Sequence, residues 1–97
     1  MKTYNYNGEK VYLRAESYRN NGHLALVMVS KDGTIRDVLT TNLNSIFQSD
    51  STAFVDVNNH PQAEAFIRKN HIGVPMGVTE RSGFCSYPLY TIFKESL

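Results

Sequence analysis

The sequence predicts an α+β domain in which an antiparallel sheet of about six strands packs with one main helix near residues 60–70. Three Asn-Gly or Asp-Gly dipeptides divide the first half of the chain, and such pairs are typical of tight hairpin turns. The runs between these dipeptides are rich in Val, Ile, Thr and Tyr, which favour strands. The segment after residue 60 instead has its apolar residues at helical spacing.

The three turns predict an N-terminal four-stranded meander. Its strands are expected near residues 3–6, 9–19, 23–31 and 34–43. The polar residues 44–52 are expected to form a loop, and residues 53–57 a brief strand.

The helix is predicted from a start signal and an apolar stripe. Asn59 and Gln62 have the spacing of a capping box, so a helix is expected to begin there. Its apolar residues Ala63, Phe66 and Ile67 lie at i, i+3 and i+4, which places them on one face. This face is expected to pack on the sheet.

A C-terminal hairpin is expected to follow the helix, with strands at residues 74–80 and 84–93 and a turn at residues 81–83. Pro75 and Pro88 cannot donate ladder hydrogen bonds, because proline has no backbone N–H. They therefore place these strands at a sheet edge or mark bulges.

Composition excludes several functional classes. The chain has 97 residues, enough for a single domain over residues 1–97, and its 10 Lys and Arg against 9 Asp and Glu give a net charge of +1. Such a charge predicts no attraction to nucleic acid or to a membrane surface. The lone Cys85 cannot form an internal disulfide, and neither a signal peptide nor a membrane-spanning segment is expected from the apolar runs of this sequence. We therefore expect a cytoplasmic protein without membrane association.

Hairpin register assigns the two faces of the meander. If residues 7–8 form a two-residue loop, Tyr6 lies opposite Glu9 and Tyr4 opposite Val11. The predicted core face continues from there, and it comprises Tyr4, Tyr6, Val11, Leu13, Ala15, Leu24, Leu26, Met28, Ile35 and Leu39.

The opposite face is half apolar, which is unusual for an open antiparallel sheet. Its apolar residues are Tyr12, Tyr18, Val27, Val29 and Val38, with Val27 opposite Val38. Two explanations stay open: the C-terminal hairpin folds over these residues, or they form an interaction face for a homodimer or a protein partner.

The start of the helix is a second candidate site. Its polar residues lie at the positive end of the helix dipole and, with two tyrosines of the C-terminal hairpin, form a candidate recognition corner: Asn58, Asn59, His60, Tyr87 and Tyr90. The same residues also have a structural interpretation as turn and helix-start groups.

The residues that could carry chemistry do not form a catalytic or metal-binding pattern. The potential metal ligands, which lack metal-site spacing, are His23, His60, His71 and Cys85. We expect no metal and no cofactor. Cys85 alternates with Tyr87 and Leu89, which favours a buried structural thiol over a nucleophile. Tyr4 and Tyr6 point toward the predicted core, which argues against base stacking by these strands.

Several segments of the second half are distinctive together: residues 53–59, 66–67, 70–73 and 82–90. They resemble a small family of bacterial proteins labelled only as a domain of unknown function. The resemblance implies short cytoplasmic proteins often carried on phages and conjugative elements, and it brings no activity and no catalytic residues.

These observations predict a non-catalytic protein-interaction module, an adaptor or inhibitor, of a mobile genetic element. A nucleic-acid-binding accessory factor is the alternative. A thiol enzyme acting through Cys85 is the third candidate.

Overall fold

A computed structural model describes residues 2–97, and its strands form two antiparallel sheets of four strands each. The first sheet, sheet A, has its strands in sequence order: β1 (Tyr4–Tyr6), β2 (Glu9–Ser17), β3 (Leu24–Ser30) and β4 (Ile35–Val38). The elements that follow along the chain are β5 (Thr40–Thr41), β6 (Thr52–Val55), α1 (Ala63–Lys69), β7 (Gly73–Ser82), β8 (Cys85–Ile92) and a 3₁₀ turn (Lys94–Ser96). Sheet B has the order β5-β6-β8-β7.

The α+β class and the N-terminal meander are confirmed, but the expected strand count of about six is wrong. The reason lies at Leu39, which is fully buried where the chain passes from one sheet to the other. Its N–H donates to the Leu26 carbonyl at 2.9 Å, and its own carbonyl accepts from the Asp56 N–H at 2.9 Å. The predicted strand over residues 34–43 therefore divides into β4 and β5.

A β-bulge changes the faces at the end of the meander. The register shifts between Met28 and Val29, so Val29 pairs with Ile35 and Met28 with Asp37. One extra residue reverses which face the following side chains occupy. Ile35 therefore leaves the predicted core face and is 56% exposed, whereas Asp37 keeps the register set by Val27 and Val38 and shares the face of Met28.

The helix begins at Ala63, later than expected, and the predicted capping box does not form. Gln62 occupies the N-cap position without a side-chain hydrogen bond. The Asn59 side chain instead donates to Asp56 Oδ2 at 2.9 Å, which holds a turn before the helix. The expected apolar stripe is confirmed, since Ala63, Phe66 and Ile67 are buried.

The main core combines the inner faces of both sheets with the helix. Its buried members are Tyr4, Val11, Leu13, Leu24, Leu26, Met28, Leu39, Ala53, Val55, Ala63, Phe66, Ile67, Ile72, Tyr90 and Ile92. The Phe66 ring meets Tyr6 edge-on at 4.9 Å and Tyr4 at 6.1 Å between ring centroids. The Tyr4 hydroxyl donates to the Ser96 carbonyl, which ties the last turn of the chain to this core.

A cluster of amide side chains joins the β2–β3 turn to the loop between β5 and β6. Asn42 is its centre, because its Oδ1 accepts from Asn21 Nδ2 at 3.1 Å and from Gln48 Nε2 at 3.2 Å. Its Nδ2 donates to Asn20 Oδ1 at 3.0 Å. One half-buried side chain therefore fixes two loops that local sequence does not connect.

We expect Asn42→Ala to lower the free energy of unfolding by about 1.5 kcal/mol, since several hydrogen bonds are lost from a partly solvated site. Urea denaturation measures this change. Asn58→Ala is the matched control, because Asn58 is exposed and has no side-chain hydrogen bond within residues 2–97. Equal stability of the two variants would contradict a role for the cluster.

Candidate functional site

The five residues of the predicted interaction face do lie together. Val27 pairs with Val38 as expected, and Tyr12 pairs with Val29. With Ala25 they form a second hydrophobic cluster on the outer face of sheet A, in which Val27 and Val29 are each 5% exposed. We call this set the second-face cluster: Tyr12, Tyr18, Ala25, Val27, Val29 and Val38.

The hydrophobic side chains packed on this cluster come from sheet A and from Tyr18, which follows β2 directly. The partly buried side chains packed on the three small residues are Tyr12, Tyr18 and Val38. The Tyr18 hydroxyl is hydrogen-bonded to Thr40 Oγ1 at 2.9 Å, and burial raises the pKa of Tyr18. Within the part of the chain that the structure describes, no hydrophobic side chain of β7 or β8 joins the cluster. The valines are therefore sheltered in the monomer, with Tyr12, Tyr18 and Val38 packed against them.

The predicted recognition corner is divided by the fold. Tyr90 is fully buried, and its hydroxyl donates to Glu64 Oε1 at 2.7 Å, so it is a core residue and not part of an exposed corner. Burial, together with the hydrogen bond to Glu64 and its charge, raises the pKa of Tyr90 to about 12. Tyr87 lies on β8 opposite Glu80, in the exposed part of the C-terminal hairpin.

The helix-start residues of the corner lie instead beside β4. His60 Nε2 is 3.2 Å from Asp37 Oδ1, and the His60 side chain is 11% exposed. Asn58 and Asn59 are exposed, although Asn59 is hydrogen-bonded to Asp56. The register of β4 explains this contact, because Asp37 pairs with Met28, whose side chain lies in the main core.

A polar cleft of about 490 Å³ opens at this point, between the β1–β2 turn, β4 and the start of the helix. Residues that line it include Tyr6, Glu9, Arg36, Asp37, Asn59 and His60. Four of its ionisable side chains are paired with one another, since Arg36 Nη1 is 2.6 Å from Glu9 Oε2 and His60 Nε2 is 3.2 Å from Asp37 Oδ1. Burial and the charge of Asp37 raise the pKa of Tyr6. Mutual pairing makes this cleft a structural junction between sheet A and the helix.

The C-terminal hairpin contains the most exposed aromatic residue of the fold. β6 pairs with β8 only from Thr91 back to Leu89, whereas β7 and β8 stay paired out to Ser82 and Cys85. The part of the hairpin that precedes Leu89 is therefore paired only within itself, and we call this two-stranded projection, residues 79–88, the hairpin arm. Its turn is Gly83-Phe84, and Phe84 is 99% exposed.

Exposed apolar residues continue from the hairpin arm along β7. Residues 76–78 form a bulge opposite Leu89, and Val74 and Met76 are 47% and 48% exposed. The sequence predicted the hairpin but placed its turn one residue early and left Phe84 in a strand. The signal that could have found it is Gly83, which has φ +62° and suits the first position of a two-residue turn.

Cys85 lies at the base of this turn and is partly buried beside Tyr87. Desolvation and the neighbouring thiol raise the pKa of Tyr87. Among the described residues, no three His, Cys, Asp or Glu side chains come close enough to hold a metal ion. The third candidate function, a thiol enzyme acting through Cys85, stays a prediction.

Over residues 2–97, α1 and the 3₁₀ turn are too short to cross a bilayer, so no helix spans a membrane.

Comparison with known proteins identifies a family. No curated protein and no solved structure matches the chain. A family model described as a domain of unknown function, DUF4313, matches residues 12–97, which is the whole chain from the first half of β2 onward. This protein therefore belongs to the DUF4313 family.

Proposed function

We propose that this protein is a non-catalytic protein-interaction module, which contacts its partner through the tip of the hairpin arm. The observation that carries the proposal is the position of Phe84, which is 99% exposed at the end of a two-stranded projection. An adaptor or inhibitor carried by a mobile genetic element, acting on a host protein, fits this role.

The energetics of Phe84 support a contact function. Burying a phenylalanine side chain stabilises by about 1.5–3 kcal/mol, and Phe84 contributes none of this to its own fold. A two-residue turn also favours Asn or Gly over a bulky aromatic residue. Aromatic anchors that enter a pocket on a partner dominate many protein interfaces. The expected partner is therefore a protein with an apolar pocket that accepts one phenyl ring.

The hairpin arm presents this ring on an ordered support. β7 and β8 are paired up to Ser82 and Cys85, and Arg81 Nε donates to the Gly83 carbonyl at 3.3 Å across the turn. An ordered support lowers the entropy lost on binding. Pro75 and the bulge that follows it protect the outer edge of β7 against strand addition. Side-chain insertion from the turn is thus favoured over backbone pairing along β7.

The test compares two variants that remove equally exposed apolar side chains. Phe84→Ser removes the proposed anchor, and Ile46→Ser is the control, since Ile46 is 93% exposed in the loop between β5 and β6. Neither change should alter the free energy of unfolding by more than about 0.5 kcal/mol. A protein captured from host lysate by the wild type is purified, and its affinity for each variant is measured by calorimetry.

We expect Phe84→Ser to weaken this affinity at least tenfold and Ile46→Ser to leave it unchanged. Equal affinity for both variants, or capture of no protein, would contradict the proposal. Salt-sensitive binding of labelled nucleic acid in place of a protein would favour the accessory-factor alternative.

A further inference from the structure

Strand β2 has an open edge over most of its length. β1 pairs only with its first residues, from Glu9 to Val11, whereas β3 pairs with β2 up to Ser17. Residues 12–17 therefore have a strand neighbour on one side only, and we call this stretch the open edge. Ala15, at its centre, is exposed.

The direction of the unpaired backbone groups follows from the ladder. Hydrogen-bonding direction alternates along an antiparallel strand. The two-residue turn makes Glu9 hydrogen-bond toward β1, and the Tyr18 N–H donates toward β3, to the His23 carbonyl at 2.9 Å. Odd-numbered residues of β2 thus direct their N–H and C=O groups away from β3. At the open edge these are the groups of Leu13, Ala15 and Ser17.

This edge lacks two of the features that block strand addition. β2 contains no proline, and its pairing with β3 is continuous from Val11 to Ser17 without a bulge. The two charged residues of the open edge, Arg14 and Glu16, have opposite signs and form an ion pair of 2.6 Å with each other. When two copies of such a strand pair antiparallel, some registers place like charges opposite each other, and one register places each charge opposite its counterpart.

We propose that a second copy of this chain pairs with the open edge, antiparallel, across a twofold axis at Ala15. In this register Arg14 faces Glu16 of the second copy, and Glu16 faces its Arg14, so both charge pairs are satisfied. Ala15 faces itself, and its small side chain allows close approach. Leu13 exchanges backbone hydrogen bonds with Ser17 of the second copy, which uses the groups that the monomer leaves open.

The same register also extends the second-face cluster. Tyr12 and Tyr18 flank the paired residues 13–17 on this face, so the aromatic borders of the two clusters approach each other. The result joins sheet A of each copy through the two β2 strands, with β1 of each copy on the same edge beyond the paired residues. A cleft of about 610 Å³ lies next to this part of β2, and its lining includes Tyr12, Ala15 and Leu97. The surface is separate from the hairpin arm, so this inference does not depend on the proposed function.

Sedimentation velocity of the purified chain over a range of concentrations tests the pairing. Wild type is expected to form a dimer, and Arg14→Glu is expected to weaken dimerisation at least tenfold, because it places Glu opposite Glu. The double variant Arg14→Glu/Glu16→Arg exchanges the two charges and should restore dimerisation to within about threefold, which a merely structural effect would not do. Amide exchange at Leu13, Ala15 and Ser17 should slow on dimerisation.

A wild type that stays monomeric at every concentration would overturn the inference. So would a dimer that Arg14→Glu leaves unchanged, or one that Phe84→Ser abolishes, since the latter would place the interface on the hairpin arm. The two proposals are separated if Phe84→Ser loses partner capture but keeps the dimer. They are also separated if Arg14→Glu loses the dimer but keeps partner capture.

Discussion

Gly73→Ala is expected to lower the free energy of unfolding by about 3 kcal/mol, the largest loss for any single-methyl change considered in this protein. Gly73 begins β7 opposite Ile92, and a Cβ there would overlap the carbonyl oxygen of Thr91 and lie 3.0 Å from Ile92 Cδ1. Thr91 cannot retreat, because it pairs with Val74 on one side and Thr52 on the other. The clash must therefore distort the centre of sheet B.

Gly77→Ala is the matched control for this change, and urea denaturation compares the two variants. Gly77 has φ +77° in the bulge of β7, but a Cβ there meets open space. Only backbone strain of about 1 kcal/mol is expected from it. If Gly73→Ala were no more destabilising than Gly77→Ala, the close approach of β7 to β8 at Thr91 would be wrong.

Tyr90→Phe is expected to cost about 2 kcal/mol at neutral pH, even though it removes a single oxygen atom. The hydroxyl is fully buried and donates to the Glu64 carboxylate at 2.7 Å, which links β8 to α1. Without it, a half-buried carboxylate loses its donor. Tyr12→Phe provides the comparison, since the Tyr12 hydroxyl has no hydrogen bond within residues 2–97, and should change stability by less than about 0.5 kcal/mol.

The difference between wild type and Tyr90→Phe should also depend on pH. The folded protein raises the pKa of Tyr90 from 10.0 to about 12, so folding favours the neutral phenol. A raised pKa gives a stabilisation that is complete below pH 10 and is lost as the pH rises from 10 to 12. Denaturation curves of both proteins across this interval measure the effect. A stability difference that stays constant up to pH 12 would contradict the buried hydrogen bond.

Local turn chemistry made much of sheet A predictable. Asn7-Gly8 fixes a two-residue loop, so the pairs Tyr6–Glu9 and Tyr4–Val11 follow by counting, and both are confirmed. The pairing of Val27 with Val38 is confirmed as well. These registers depend on residues within one hairpin of each other, which is why sequence pattern suffices.

Features that depend on distant residues were not predictable. The transfer of the chain to a second sheet at Leu39 needs β6 as a partner, and no local signal marks it. The bulge that turns Ile35 outward lies in a run of ordinary strand residues. Tyr90 shows the same limit for the site, because alternation along β8 separates two faces without saying which one the helix covers.

The exposure of Phe84 depends on a length that the sequence does not state. β8 begins at Cys85, but its pairing with β6 begins only at Leu89. The hairpin arm projects because β8 is longer at this end than the stretch that β6 covers. The polar residues near the helix start were attractive candidates by composition. In the fold Asn59 is hydrogen-bonded to Asp56 and His60 contacts Asp37, so the polar groups of these two residues are used within the molecule.

The position of Leu39 has a thermodynamic consequence for binding. Its N–H is bonded to β3 and its carbonyl to Asp56, the residue directly after β6, so opening either sheet there disturbs the other, and we expect both to unfold in one cooperative step. In a two-state protein, any ligand of the native state stabilises every part of it equally. A partner held by the turn at Phe84 would therefore protect residues in sheet A that it never touches, and a second copy at Ala15 would do the same for sheet B.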